Sequence, residues 1–189
     1  VAGGRELTLP AVDEQEIDGH VQAELMRRLT APTGRSVEMD DEQYRNWVNR
    51  DLEPHLHREA YLHVLRSSGI ADDHARSLYT RLVDPASWTP YPDTAEVLTS
   101  LRRSGIRVAV VSNIAFDLRP AFRDLGVAEC VTEFVLSFEV GAVKPTPEIF
   151  TIALDRLGVD AAEIAGAQPA CAVGTRDKGI GVGVRAVPI

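Results

Sequence analysis

Two short segments of this chain put hydrogen-bond donors and a cation where an anion can be held. The first is Ser112-Asn113, which closes the β-branched run Arg107-Val108-Ala109-Val110-Val111. A hydroxyl and a carboxamide at a strand end, with a helix to follow, can donate to an anion alongside exposed backbone amides. The same dipeptide serves equally as a plain strand ending. The second segment is Gly141-Ala142-Val143-Lys144-Pro145-Thr146-Pro147-Glu148-Ile149-Phe150. Pro145 bars Lys144 from helical geometry, and Pro147 takes the favoured first position of a helix. A lysine fixed between a strand and a helix is an aimed point charge, whereas most loop lysines are solvated and wander.

Other reactive side chains carry less. His55, His57, Glu59 and His63 are close in sequence. Positions 55 and 57 of a helix point to different sides, so shared metal coordination is not expected. His20 and His74 read as surface residues, and Trp47 and Trp88 as packing residues. Cys130 and Cys171, the two cysteines of the chain, have no C-x-x-C spacing. They read as small core residues of a reduced protein, and Cys171 has no adjacent histidine to make it a nucleophile.

The elements that position these groups fall into two textures. Ile17, Val21, Leu25 and Leu29 recur every four residues on one helix face. Tyr44, Trp47, Val48 and Leu52 repeat the stripe after Asp40-Asp41, a helix-start signal. Leu56, Ala60, Val64 and Leu65 form a third stripe, and Leu78, Leu82 and Val83 a fourth. No strand-like alternation interrupts them, so residues 15–87 read as a helical bundle. Residues 1–14 resist assignment, because Pro10 sits inside the only apolar stretch, Leu7 to Val12.

After Pro90-Tyr91-Pro92 strands and helices alternate. Asp93 and Glu96 have capping-box spacing and open a helix that stops at Gly105. Arg107–Val111 suits a strand buried on both faces. A helix from about Asp117 to Leu125, a strand at Phe134–Leu136, a helix after Thr146-Pro147 ending at Gly158, and a last strand at Val182–Val187 follow. Asp160 and Glu163 repeat the capping-box spacing. Such alternation predicts a three-layer Rossmann-like α/β core over residues 88–189, with a parallel sheet whose ligands bind at the carboxyl ends of the strands.

Composition bounds the function. The chain has 189 residues, 44% of them hydrophobic and 25% charged, with a net charge of −8. That is the make-up of a soluble globular protein. The negative charge argues against nucleic-acid binding, which needs a basic surface. No apolar run approaches the ~20 residues of a membrane span and no signal segment opens the chain, so a cytoplasmic location without a membrane partner is expected.

Together the strand ending in Val111-Ser112-Asn113 and the Gly141–Phe150 segment resemble the second and third motifs of the haloacid dehalogenase-like hydrolases. The likeness is to the branch with an inserted helical cap, and Trp88-Thr89-Pro90-Tyr91-Pro92-Asp93 resembles the approach from cap to core. The resemblance implies a magnesium-dependent phosphatase acting on a small phosphorylated molecule, with a homodimer left open. An aspartate on the first strand would attack phosphorus, and a second aspartate two residues on would protonate the leaving group. Ser112 would hold a phosphoryl oxygen, and Asn113 would orient the substrate or its own loop. Lys144 would neutralise charge in the transition state. Magnesium would be held by first-motif aspartates and an acidic fourth motif.

Those two motifs depart from the family pattern. No hydrophobic strand runs into Asp-x-Asp ahead of the cap. Asp13 follows an apolar stretch, but Gln15 stands where the second acid belongs, which leaves Asp13 a weak nucleophile candidate. In Ala172-Val173-Gly174-Thr175-Arg176-Asp177, Thr175 replaces a metal-binding aspartate, and Asp177 is a weak metal ligand flanked by Arg176 and Lys178. The flanks of an empty central strand position would bury unpaired backbone groups at about 1–3 kcal/mol each. Either Leu7–Val12 fills that position, or the natural polypeptide carries residues absent here, which the shortened fourth motif favours. As written, the chain is expected to be inactive. A catalytically dead relative that binds an anion or a partner is the alternative.

Overall fold

The computed structural model describes residues 19–29, 34–159, 172–173 and 182–187. The chain forms two compact units: residues up to Arg50 together with His55–Asp84, and Asp51–Pro54 together with the residues from Pro85 onward.

The first unit is helical, with α1 (Gly19–Leu29), α2 (Asp41–Asn49), α3 (Pro54–Ser67) and α4 (Asp72–Val83). The Asp40 carboxylate accepts from the backbone amides of Glu42 and Gln43 at 2.9 and 2.8 Å, and the Gln43 side chain accepts from the Asp40 amide at 3.0 Å. This reciprocal capping box starts α2 with its first amides satisfied. Trp47, Tyr61, Val64, Leu65 and Ala75 then build one buried core.

His57 belongs to that core instead of a metal cluster. Its ring stacks on Tyr61 at a centroid distance of 4.1 Å, and its Nδ1 lies 3.0 Å from the Tyr79 hydroxyl. Burial pushes the imidazole down to about 3, and the charge of Arg50 adds to the effect. His63, by contrast, bonds the Glu38 carbonyl at 2.9 Å. Among the described residues, no three His, Cys, Asp or Glu side chains gather as a metal site.

The second unit contains α5 (Thr94–Arg103), β1 (Arg107–Ser112), α6 (Arg119–Asp124), β2 (Glu133–Leu136), α7 (Ser137–Val140), α8 (Pro147–Leu157), β3 (Ala172–Val173) and β4 (Val182–Val187). β1 and β2 are parallel neighbours, with Val110 opposite Phe134 and Ser112 opposite Leu136. The two faces of β1 are both covered. Ala109 and Val111 pack with Ile149, Ala153 and Leu157 of α8. Val110 packs with Ile114 and Leu118, and Val108 with Leu98 of α5. Helices therefore flank this parallel pair on both sides, the layered α/β arrangement expected from strands without hydrophobic alternation.

The sheet order is β2-β1-β4-β3. β4 runs antiparallel to β1, with Val111 opposite Gly183, and β3 pairs antiparallel to β4. This corrects the expectation of a wholly parallel sheet. A buried central strand cannot leave one row of amides and carbonyls bare, and β4 supplies the partners from the other end of the chain. The Leu7–Val12 segment lies outside the described residues.

A second correction concerns α5. It begins where Asp93 and Glu96 place it, but the Asp93 side chain makes no capping bond. Asp93 itself is already helical, at φ −92° and ψ −4°, unlike the extended Asp40 at φ −70° and ψ 179°. A cap residue needs the extended conformation to turn its carboxylate back onto the first amides. Among the described residues, no helix is long and apolar enough to cross a membrane.

Candidate anion-binding site

Parallel strands deliver their following loops to one edge, and β1 and β2 end there with the same chemistry: Ser112 closes β1 and Ser137 follows β2. Both serines are fully buried. Their hydroxyls differ in use. Ser137 Oγ accepts from the Ile114 amide at 2.8 Å and lies within donating distance of two carbonyls, Ile114 O at 3.0 Å and Asp51 O at 2.5 Å. With one proton it can donate to only one of them at a time. Ser112 Oγ has no hydrogen-bond partner among the described residues. A buried hydroxyl left so costs about 1–3 kcal/mol, which calls for an explanation in function.

Asn113 holds the lysine loop. Its carboxamide oxygen accepts from the Lys144 amide at 2.7 Å, and its Nδ2 donates to the Lys144 carbonyl at 3.0 Å. This pair of bonds spans the gap between the β1 loop and the segment before α8. It places Asn113 as the residue that fixes Lys144, with its oxygen and one N–H already committed. Gly141 ends α7 at φ +69°, which turns the chain toward that segment and suits only glycine without strain. Thr146 then bonds back to Val143 O through its amide at 2.9 Å and its hydroxyl at 2.6 Å before Pro147 opens α8. The Lys144–Pro145 peptide is cis.

The Lys144 ammonium donates to Val111 O at 3.0 Å, one residue before Ser112. The structure therefore brings Ser112, Asn113 and Lys144 together at the carboxyl end of β1. Burial pushes the Lys144 pKa below its ordinary value, and the Asp51 carboxylate pushes it back up. Asp13 and Asp177 lie outside the described residues.

Removing the clamp has a calculable effect. Asn113→Ala breaks two bonds to one backbone unit, so unfolding stability should drop by about 2 kcal/mol. A urea titration that shows no shift in midpoint would mean that the loop holds itself.

Two residues of this site, Ser137 and Asp51, are not singled out by the sequence motifs. Ser137 has a signal, since Leu136-Ser137 repeats the strand-then-serine pattern of Val111-Ser112. Asp51 has none, because it lies in the helical stretch of sequence and joins this unit only in three dimensions.

Magnesium is a poor fit to the described residues of this site. The ion takes a near-octahedral set of oxygens, usually with one or two carboxylates bound directly. The described groups are two hydroxyls, a committed carboxamide, an ammonium and the Asp51 carboxylate, whose charge favours the ammonium. The Lys144 ammonium, bonded to Val111 O at this edge, repels a divalent cation.

Comparison with known proteins agrees with the layout. The chain is 34% identical over 111 residues to the mouse haloacid dehalogenase-like hydrolase domain-containing protein 3, which covers 56% of this chain and 44% of the relative. It is 41% identical over 71 residues to a glyceraldehyde 3-phosphate phosphatase of Methanopyrus kandleri, covering 37% of this chain and 30% of the relative. It is 32% identical over 112 residues to the (S)-2-haloacid dehalogenase 4A of Burkholderia cepacia, covering 56% of this chain and 46% of the relative. The matches thus span less than half the length of each of these relatives. The family profile of the haloacid dehalogenase-like hydrolases matches residues 10–166. By that match, with Ser112 and Lys144 held at one sheet edge, the chain belongs to the haloacid dehalogenase-like hydrolases.

Proposed function

We propose that this site holds the phosphoryl group of a small phosphate ester, as part of a phosphatase of this family. The observation that carries the reading is Ser112 Oγ, buried without a partner among the described residues, one residue from the carbonyl that receives the Lys144 ammonium. An anion at this edge would accept from the hydroxyl and be neutralised by the ammonium, removing the cost of the orphaned group. Lys144 would act most strongly as charge builds on the transferring group, because its position is fixed in advance by Asn113. The phosphatase name of the Methanopyrus relative supports a phosphate ester. The dehalogenase name of the Burkholderia relative supports a carbon–halogen bond instead. The paired donor and cation suit a phosphate dianion better than a halide.

Covalent transfer in this family needs a nucleophilic aspartate with a proton-donating aspartate two residues on, and no Asp-x-Asp pair occurs among the described residues. The second reading, an anion-binding module without turnover, is favoured by that observation alone. A phosphatase assay with p-nitrophenyl phosphate and added magnesium separates the two. The 189-residue chain should be inactive, and a form extended at its amino end by a strand carrying Asp-x-Asp should turn over. Inactivity of both would leave the binding module. Turnover by the chain as it stands, lost on Asp13→Asn, would make Asp13 the nucleophile and overturn the account of the missing motif.

A further inference from the structure

We propose that Ser137 is a positioning residue for the anion site: its buried hydroxyl fixes the loop that carries Ser112 and Asn113, and through Asn113 it fixes Lys144. The proposal rests on the reading of Ser112 and Lys144 as phosphate-holding residues. Backbone pairing of β1 with β2 runs as far as Ser112 opposite Leu136. At the next residue, Ser137, a side chain takes over. Its Oγ accepts from the Ile114 amide at 2.8 Å. The Phe138 amide donates to the Ile114 carbonyl at 3.4 Å, so both backbone groups of Ile114 are held from the first turn of α7. With that carbonyl served by Phe138, the single proton of Ser137 is available to the Asp51 carbonyl, the shorter of its two contacts, at 2.5 Å. A hydroxyl can accept and donate at one atom, which is what this position requires.

Ile114 shares a peptide plane with Asn113, so fixing the Ile114 amide fixes the Asn113 carbonyl as well. The Asn113 carboxamide holds the Lys144 amide at 2.7 Å and the Lys144 carbonyl at 3.0 Å. The Lys144 ammonium then returns to Val111 O at 3.0 Å. These bonds close a circuit from β1 through the lysine loop and back to β1, and Ser137 ties that circuit to β2. The two serines of this edge thus divide the work. Ser112 Oγ has no partner among the described residues and is left for a ligand. Ser137 Oγ has its proton and its acceptor site committed to backbone, so it acts on an anion only through its neighbours. Without Ser137 the loop gains arrangements in which Ser112 and Lys144 no longer converge. Apparent affinity falls with the fraction of molecules that keep the competent one, so a fraction of about one-tenth weakens binding about tenfold.

The test measures binding of inorganic phosphate to the 189-residue chain by titration calorimetry at constant pH and salt. The proteins compared are the wild type, Ser137→Ala, Asn113→Ala, the double variant and Lys144→Ala. Ser137→Ala should bind phosphate about tenfold more weakly than the wild type. In the Asn113→Ala background the same substitution should weaken binding by less than about twofold, because the link it acts through is already cut. The Lys144 amide, followed by hydrogen exchange in NMR spectra, should lose protection in Ser137→Ala. Should that variant fail to fold, Ser137→Cys fills the same space with a weaker donor and acceptor, and should weaken binding about threefold or more. An equal loss in both backgrounds, or an unchanged Lys144 amide, would make Ser137 a general stabiliser and overturn the positioning role. If Lys144→Ala weakens phosphate binding but Ser137→Ala equals the wild type, the positioning role is wrong and the phosphate site stands. If the wild type does not bind phosphate, the site reading fails and takes this proposal with it.

Discussion

In a form of the protein competent for turnover, Lys144→Ala should lower kcat by about 100- to 1,000-fold, the range seen when one preorganised electrostatic donor is removed. The melting temperature should move by only a few degrees. The two effects separate because the residue is used in two ways. Its backbone amide and carbonyl carry the bonds to Asn113, and alanine keeps both. Its side chain donates to Val111 O at 3.0 Å, a bond worth about 1 kcal/mol of stability. Asn113→Ala reverses the emphasis, since it loosens the loop while the ammonium itself remains. Steady-state kinetics beside calorimetric melting checks the pair. Equal melting losses in the two variants would show that Lys144 is a structural residue.

The helical unit should lose stability as acid is added, well before its carboxylates titrate. His57 is held down to about 3, against 6.5 for the free side chain, chiefly by burial. Between those values the unfolded chain takes up a proton that the folded chain refuses, so stability rises with pH across the interval. Each pH unit is worth about 1.4 kcal/mol. From pH 6.5 to 4.5 the loss should reach about 2–3 kcal/mol; below pH 4.5 carboxylates join in. His57→Phe keeps an aromatic ring against Tyr61 and removes the titrating group. Its urea midpoint should be flatter over that interval than that of the wild type. An unchanged slope would place the acid sensitivity elsewhere.

Much of the architecture was legible because periodicity and punctuation agree with tertiary packing here. The stripe Leu56, Ala60, Val64 and Leu65 predicts the inward face of α3, where Ala60, Val64 and Leu65 are buried and Leu56 is partly so. His57 was missed in the same helix, since a histidine does not register as apolar until its ring is seen stacked on Tyr61. The parallel pair of β1 and β2 followed from two β-branched runs joined through a helix. The partner on the other side of β1 did not, because antiparallel pairing with a strand about seventy residues away leaves no local mark. At the site, Lys144 stood out through its flanking prolines. The use of Asn113 as a clamp depends on a bond between residues 31 positions apart, which spacing within either motif cannot disclose.

β1 is apolar on both faces, and that raises the question of what sets its reading frame. Most strands are locked in frame because a slip of one residue would turn their oily side to water. Here a slip would exchange Val108 and Val110 for Ala109 and Val111, with little change in hydrophobicity. The frame is instead pinned at the amino end. Val108 N donates to Thr132 Oγ1 at 3.2 Å, Thr132 N donates to Val108 O at 2.8 Å, and Arg107 reaches the Leu157 carbonyl. A slip of one residue carries Ser112 along by about 3.3 Å, beyond hydrogen-bond reach of the anion proposed beside Lys144. Three polar contacts at the start of the strand thus act as the ruler for a hydroxyl at its end, and Thr132 and Arg107 govern the site without approaching it.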